Sequence, residues 1–161
     1  MSDDFTDRKA RAAQWFRNLR DQIVAAFEDL ETRHAGARAP GRFEVTPTTR
    51  ADGGGGLMSV MRNGTVFEKV GVNWSEVHGT LGDKAQRAMA ARGVPGMDKD
   101  PRFWASGISL VAHMVNPHCP AVHMNTRMFW TPGAAWFGGG ADLNPCIEYP
   151  ADTAHFHGRM Q

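Results

Sequence analysis

The chain is 161 residues long, a length that fits one domain, with enough apolar residues for a real core. Its charges nearly balance at a formal +1 and no run of Lys or Arg stands out, which argues against nucleic acid or an anionic membrane as a partner. No apolar run approaches membrane-spanning length, and the acidic, polar start MSDDFTDRKA reads as no signal peptide. Two cysteines, Cys119 and Cys146, sit in no paired or metal-binding pattern; a disulfide is open to them, but a reduced cytoplasmic chain is the expectation.

The first segment predicts an amphipathic helix. Phe16, Leu19, Ile23, Phe27 and Leu30 recur at steps of three and four, and Ala12 and Trp15 extend the stripe backward. Asp4 or Thr6 is the expected cap, and Gly36 follows the end. Residues 35–56, rich in Gly, Pro and Thr, read as a loop ending in DGGGG. Asn63-Gly64 then separates two apolar runs, the signal of a hairpin with a type I′ turn. Asp83 to Ala91 reads as a short helix capped by Asp83 and stopped by Gly93 and Pro95.

GISLVAHMV and AVHMNTRMFW predict two further strands joined through NPHCP, where two prolines impose a turn or loop. AWFGGGADL reads as a short strand running into a glycine turn, and YPADTAHFHGRMQ as the start of a helix. There is no repeat and no low-complexity tract. Residues 1–161 are thus expected to form a single α+β domain, an antiparallel sheet flanked by helices.

Side chains alternate faces along a strand, so His123, Asn125 and Arg127 share one face and Val122, Met124, Thr126 and Met128 the other. In the preceding strand Ser109, Val111 and His113 share a face. A hairpin centred on His118 would set His113 opposite His123 and Ser109 opposite Arg127. Such a patch suits an organic acid. Arg127 offers a two-point contact to a carboxylate, Ser109 and Asn125 neutral hydrogen bonds, and a histidine a proton near neutral pH. A polar outer sheet face is the plainer alternative.

WFGGGADLNP adds three glycines that let backbone approach a ligand closely, followed by Asp142, which is either a ligand group or a turn cap. No Lys-Ser/Thr follows, so a phosphate loop is not indicated. His113, His123, His155 and His157 are enough ligands for zinc or iron. They match no compact metal motif, and on a helix His155 and His157 would stand about 200° apart. A metal-dependent hydrolase or oxygenase stays open as an alternative at this point.

The segments GGGG…VMRNGTVFEKVGVNWSEVHG, GISLVAHMVNPHCPAVHMNTR, WFGGGADLNP and HFH follow one another as they do in oxygen-dependent coproporphyrinogen III oxidase. The chain resembles that family from about Gly53 to His157. The resemblance implies oxidative decarboxylation of two propionates of coproporphyrinogen III to vinyl groups, giving protoporphyrinogen IX. Dioxygen is the acceptor, and carbon dioxide and hydrogen peroxide are released. It implies a broad antiparallel sheet flanked by helices, a homodimer with Val60 to Lys69 at its interface, and no required organic cofactor or metal. Family substrate-contacting positions fall on Ser109, Asn125, Thr126 and Arg127, the proposed proton donor on His123, and the carboxylate for the pyrrole N–H groups on Asp142. Histidines proposed as metal ligands in the family match His113, His123 and His157. The family chain is about twice as long, so the resemblance is to its N-terminal portion, with sheet edges left uncovered. An inactive tetrapyrrole-binding fragment is a second alternative.

Overall fold

The computed structural model describes the backbone of residues 2–160 and the side chains of residues 5–160. Helix α1 (Ser2–His34) leads into six strands, β1 (Glu44–Thr49), β2 (Gly54–Arg62), β3 (Phe67–Thr80), β4 (Arg102–Met114), β5 (Ala121–Thr131) and β6 (Ala134–Asn144). Helix α2 (Asp83–Ala91) lies between β3 and β4, and α3 (Pro150–Met160) closes the order. The strands form one antiparallel sheet in chain order, β1-β2-β3-β4-β5-β6, with β1 and β6 at its edges. This is the α+β arrangement that the alternating patterns predict.

α1 covers one face of the sheet. Ala12, Ala13 and Phe16 pack with Trp74, Trp104, Ile108 and Met128. Further along the helix, Ile23, Phe27 and Leu30 pack on Met61, Phe67, Val70, Val72, Leu110 and Ala112. Each large side chain buried this way contributes roughly 1.5–3 kcal/mol. Trp15 is not part of that stripe, because Phe16 takes the centre of the buried face. Trp15 stays 55% exposed, edge-on to Phe16. The helix already runs from Ser2, so Thr6 lies inside it rather than at its cap; the side chain of Asp4 lies outside the described residues.

Two buried charged side chains tie α1 to the sheet. The buried Glu31 carboxylate accepts backbone N–H bonds from Gly41 (3.0 Å), Thr65 (2.8 Å), Val66 (2.9 Å) and Phe67 (2.9 Å). Arg20, also buried, donates twice to Ser59 Oγ at 3.0 and 2.8 Å. Burial works to raise the Glu31 pKa, but the four N–H donors outweigh it and hold the carboxyl below its ordinary range.

Glu31 also explains a departure in the β2–β3 turn. The hairpin forms where Asn63-Gly64 predicts it, and Asn63 takes φ 54°. The strands are separated by residues 63–66, not by two residues in a type I′ turn. The loop opens to aim three N–H groups at one carboxylate. A Cβ on Gly64 would meet Glu31 Oε1 at 2.3 Å, so glycine here serves close approach.

Residues 35–56 are not all loop: they contain β1 and the start of β2. Every residue of β1 is exposed, so it shows no in–out alternation, and Pro47 is tolerated because β1 is an edge. α2 begins at Asp83 as expected, but Gly82 is its N-cap and no side chain caps it. β6 runs unbroken through Gly138–Gly140, so the expected glycine turn is a strand. No described helix is long and apolar enough to cross a membrane.

Glu31→Gln should destabilise the fold by about 3 kcal/mol, since an amide offers one oxygen to donors that now share two. The folded pKa lies below the unfolded one. The contribution of Glu31 is therefore complete above the ordinary glutamate range and is lost as pH falls through the folded value. Urea midpoints measured from neutral to acid pH should converge for wild type and variant. A constant gap would remove the ionised carboxylate from this role.

Candidate functional site

The site lies on the face that α1 leaves open. The pairing sets Ser109 opposite Asn125, Gly107 opposite Arg127 and Val111 opposite His123. This differs from the expected hairpin by two residues, because the pairing is symmetric about Pro117, not His118. A turn closed by Cys119 N–H to Asn116 O (3.0 Å) places Pro117 at its second position. His113 therefore faces Lys69 on β3 and not His123. A shift of two preserves the face, so Ser109, His113, His123, Asn125 and Arg127 still share one surface.

On the other side of β5, His123 is paired with Asp142, Asn125 with Gly140 and Arg127 with Gly138. His123 Nδ1 lies 3.0 Å from Asp142 Oδ2, and Asn144 Nδ2 donates to Asp142 Oδ1 at 2.6 Å. The contact with His123 is the main cause that holds the Asp142 carboxyl below the usual range, with Asn144 adding to it. Asp142 is thus an ionised strand residue with both oxygens occupied, not a turn cap. Arg127 Nη1 donates to Asn125 Oδ1 at 2.9 Å, which orients the guanidinium across the open face.

Between these groups the floor is bare backbone. Gly71, Gly138 and Gly140 have nothing within 4 Å of a built Cβ. Gly139 points the other way, where a Cβ would meet Asn125 O at 2.4 Å. A shallow groove of about 240 Å³ runs along Asn73, Ser75, Gly107, Ser109, Asn125 and Arg127. Beyond Arg127, three rings stack across strands: Phe103 on Phe129 (5.7 Å) and Phe129 on Trp136 (5.0 Å). The surface therefore combines a cation, neutral donors, an ionised carboxylate joined to a histidine, a flat glycine floor and an aromatic wall. It suits a flat apolar body carrying carboxylates and N–H groups.

Thr126 is separated from its neighbours. It alternates onto the helix-covered side and lines an apolar groove of about 690 Å³ with Trp15, Met128 and Phe137. His157, on α3, borders a different cavity of about 230 Å³ with Asp142, Leu143 and Tyr149. Among the described residues no three His, Cys, Asp or Glu side chains are grouped to hold a metal ion, so His113, His123 and His157 do not fit one shared ion. Sequence reasoning missed Asn73, Ser75, Phe103, Phe129 and Trp136. The first two alternate with the apolar Val72 and Trp74, a period-two signal that was available in VGVNWSEV. The ring stack depends on register and left no local sign.

Residues 11–161 match the family model described as Coproporphyrinogen III oxidase. The oxygen-dependent coproporphyrinogen-III oxidase of Rickettsia bellii (strain OSU 85-389) is 49% identical over 147 residues, covering 90% of this chain and 50% of the relative. The protein of the same name from Rickettsia felis is 43% identical over 153 residues, 94% of this chain and 52% of the relative. The chain spans about half the length of the curated relatives it matches.

Gly140→Val and Gly139→Ala should behave oppositely. Gly140→Val enters open space and should leave stability within about 0.5 kcal/mol, yet it should block ligand access to the floor. Gly139→Ala drives a Cβ into Asn125 O and should lower the thermal midpoint. A Gly140→Val protein that keeps full ligand binding would show that the floor is not used.

Proposed function

The chain belongs to the coproporphyrinogen III oxidase family, and from that membership we propose that its open sheet face takes part in the aerobic decarboxylation of coproporphyrinogen III to protoporphyrinogen IX. The observation that carries this reading is the His123–Asp142 pair, one step along β5 from the oriented Asn125–Arg127 pair and flanked by bare glycine backbone. Each propionate loses its carboxylate as carbon dioxide and a hydrogen from the carbon next to the ring. Dioxygen takes up two electrons and two protons and leaves as hydrogen peroxide.

Arg127 binds a propionate carboxylate, with Ser109 and Asn125 hydrogen bonding beside it. Asp142, kept ionised by His123, orients and polarises a pyrrole N–H. Oxygen then adds to the electron-rich pyrrole as a ring-bound peroxide, which takes the propionate hydrogen as a proton. Carbon dioxide leaves, its electron pair forms the vinyl double bond, and the electrons displaced into the ring break the ring carbon–oxygen bond, so that hydroperoxide departs and takes up a second proton. His123 handles the proton. The ring supplies the electrons, so the reading requires no organic cofactor and no metal. Thr126 borders the groove through its backbone, between Asn125 and Arg127, with its side chain beneath the floor. The protein works in the cytoplasm as a homodimer whose interface includes Val60 to Lys69.

Aerobic product analysis with coproporphyrinogen III, on this chain and on a full-length protein carrying the same residues, tests the reading. Protoporphyrinogen IX formation that survives chelation supports it. Turnover lost with a stoichiometric metal and restored by its return would favour a metal-dependent oxygenase.

Arg127→Lys in the full-length protein should lower kcat/KM about 10- to 100-fold, near 1.5–3 kcal/mol, because a point charge replaces a planar two-point contact. An unchanged kcat/KM takes Arg127 out of the site. Asp142→Asn should fold normally and turn over poorly, since the amide keeps the shape but not the charge. Rates equal to wild type would mean that the charge is irrelevant to the reaction.

A further inference from the structure

We infer that Cys119 and Cys146 form a reversible redox pair that staples the open end of the β5–β6 hairpin. The last pair of that ladder is Ala121 with Asn144. Continued along both segments, the register carries Pro120 to Pro145 and Cys119 to Cys146. Pro120 and Pro145 border one cavity, so the two segments still run near each other beyond the ladder. Beyond the cysteines the same two segments meet again: His118 Nδ1 lies 2.5 Å from Tyr149 Oη, with ring centroids 6.0 Å apart. The cysteines are thus bracketed by the ladder on one side and the His118–Tyr149 contact on the other. Directly opposed antiparallel residues have Cα atoms about 4.5–5.5 Å apart, inside the roughly 4.4–6.8 Å span of a disulfide. Both thiols are free and exposed, so a small oxidant reaches them.

The oxidant is a peroxide, which is also the by-product of the proposed reaction, although the pairing itself does not rest on that reading. One thiolate attacks a peroxide oxygen; the O–O bond breaks, leaving a sulfenic acid and water. The second thiolate attacks the sulfenic sulfur; the S–S bond forms, the S–O bond breaks and a second water leaves. Two thiols lose two electrons and two protons, and hydrogen peroxide becomes two waters. A dithiol reductant reverses the change by exchange. β6 is an edge strand that carries Asp142 and the glycine floor, and among the described strands it pairs with β5 alone. Closing the pair fixes that end and holds Asp142 against His123.

The test exposes the folded chain to stoichiometric hydrogen peroxide and follows free-thiol titration, non-reducing peptide mapping and amide exchange. The expected result is loss of both thiols in a monomer, a Cys119–Cys146 cross-linked peptide, reversal by dithiothreitol, and roughly tenfold slower exchange of β6 amides near Asp142 in the oxidised form. Cys119→Ser should leave Cys146 oxidised alone, with no internal cross-link. Separate sulfinic acids, only intermolecular disulfides, or two intact thiols in the wild type would overturn the pairing. Unchanged β6 exchange in a cross-linked monomer would overturn its link to the site.

Discussion

A buried carboxylate organises this fold. Glu31 lies in the last turn of α1, where the helix dipole disfavours negative charge. Its ionised form persists because four backbone N–H groups converge on it, one from the chain leaving the helix and three from the β2–β3 turn. Glu28, one turn earlier, accepts from Phe43 N–H at 2.8 Å. The end of α1 is therefore locked to one end of the sheet, and Arg20 repeats the attachment at Ser59. These contacts set which way the helix lies, and hence which sheet face is covered.

The candidate site follows from that choice. With one face filled by α1, period-two alternation sends every second side chain of β3, β4, β5 and β6 to the open face. Apolar residues dominate the covered set, Val70, Val72, Ile108, Leu110 and Met128 among them, while the open set includes Asn73, Ser109, His123, Asn125, Arg127 and Asp142. The antiparallel meander also gathers residues distant in sequence: His123 and Asp142 meet because they are cross-strand partners. The glycines of β6 divide by the same rule. Gly138 and Gly140 keep the open face flat, whereas Gly139 lets β6 pass close to β5.

The sheet is less covered on the side of β6. Phe137 is 68% exposed and, with Trp15, borders the apolar groove between α1 and the sheet edge. α1 buries apolar surface on β2 to β5, with Met61, Val72, Leu110 and Met128 among its partners, and it faces β6 across this groove. β6 pairs with β5 alone, so its outer edge is unpaired among the described strands.

Much of the architecture was legible because it rests on local period and composition. The helical stripe of α1, the β2–β3 hairpin at Asn63, the short α2, the strands β4 and β5, and the start of α3 all show in spacing and breakers. So does the sharing of one face by His123, Asn125 and Arg127. β1 was not legible, since an edge strand exposed on both faces has no alternation to read. The strand character of Gly138–Gly140 was hidden because Gly139 serves close approach across the sheet and Gly138 and Gly140 a bare open face, and none of them takes a positive φ. Tertiary structure alone decided the register about Pro117, the pairing of His123 with Asp142 and the stack of Phe103, Phe129 and Trp136. A sequence determines which face a strand residue takes, because alternation is local. Which residue it meets across the sheet is set by turn closure and helix docking, and those act between groups that the sequence holds far apart.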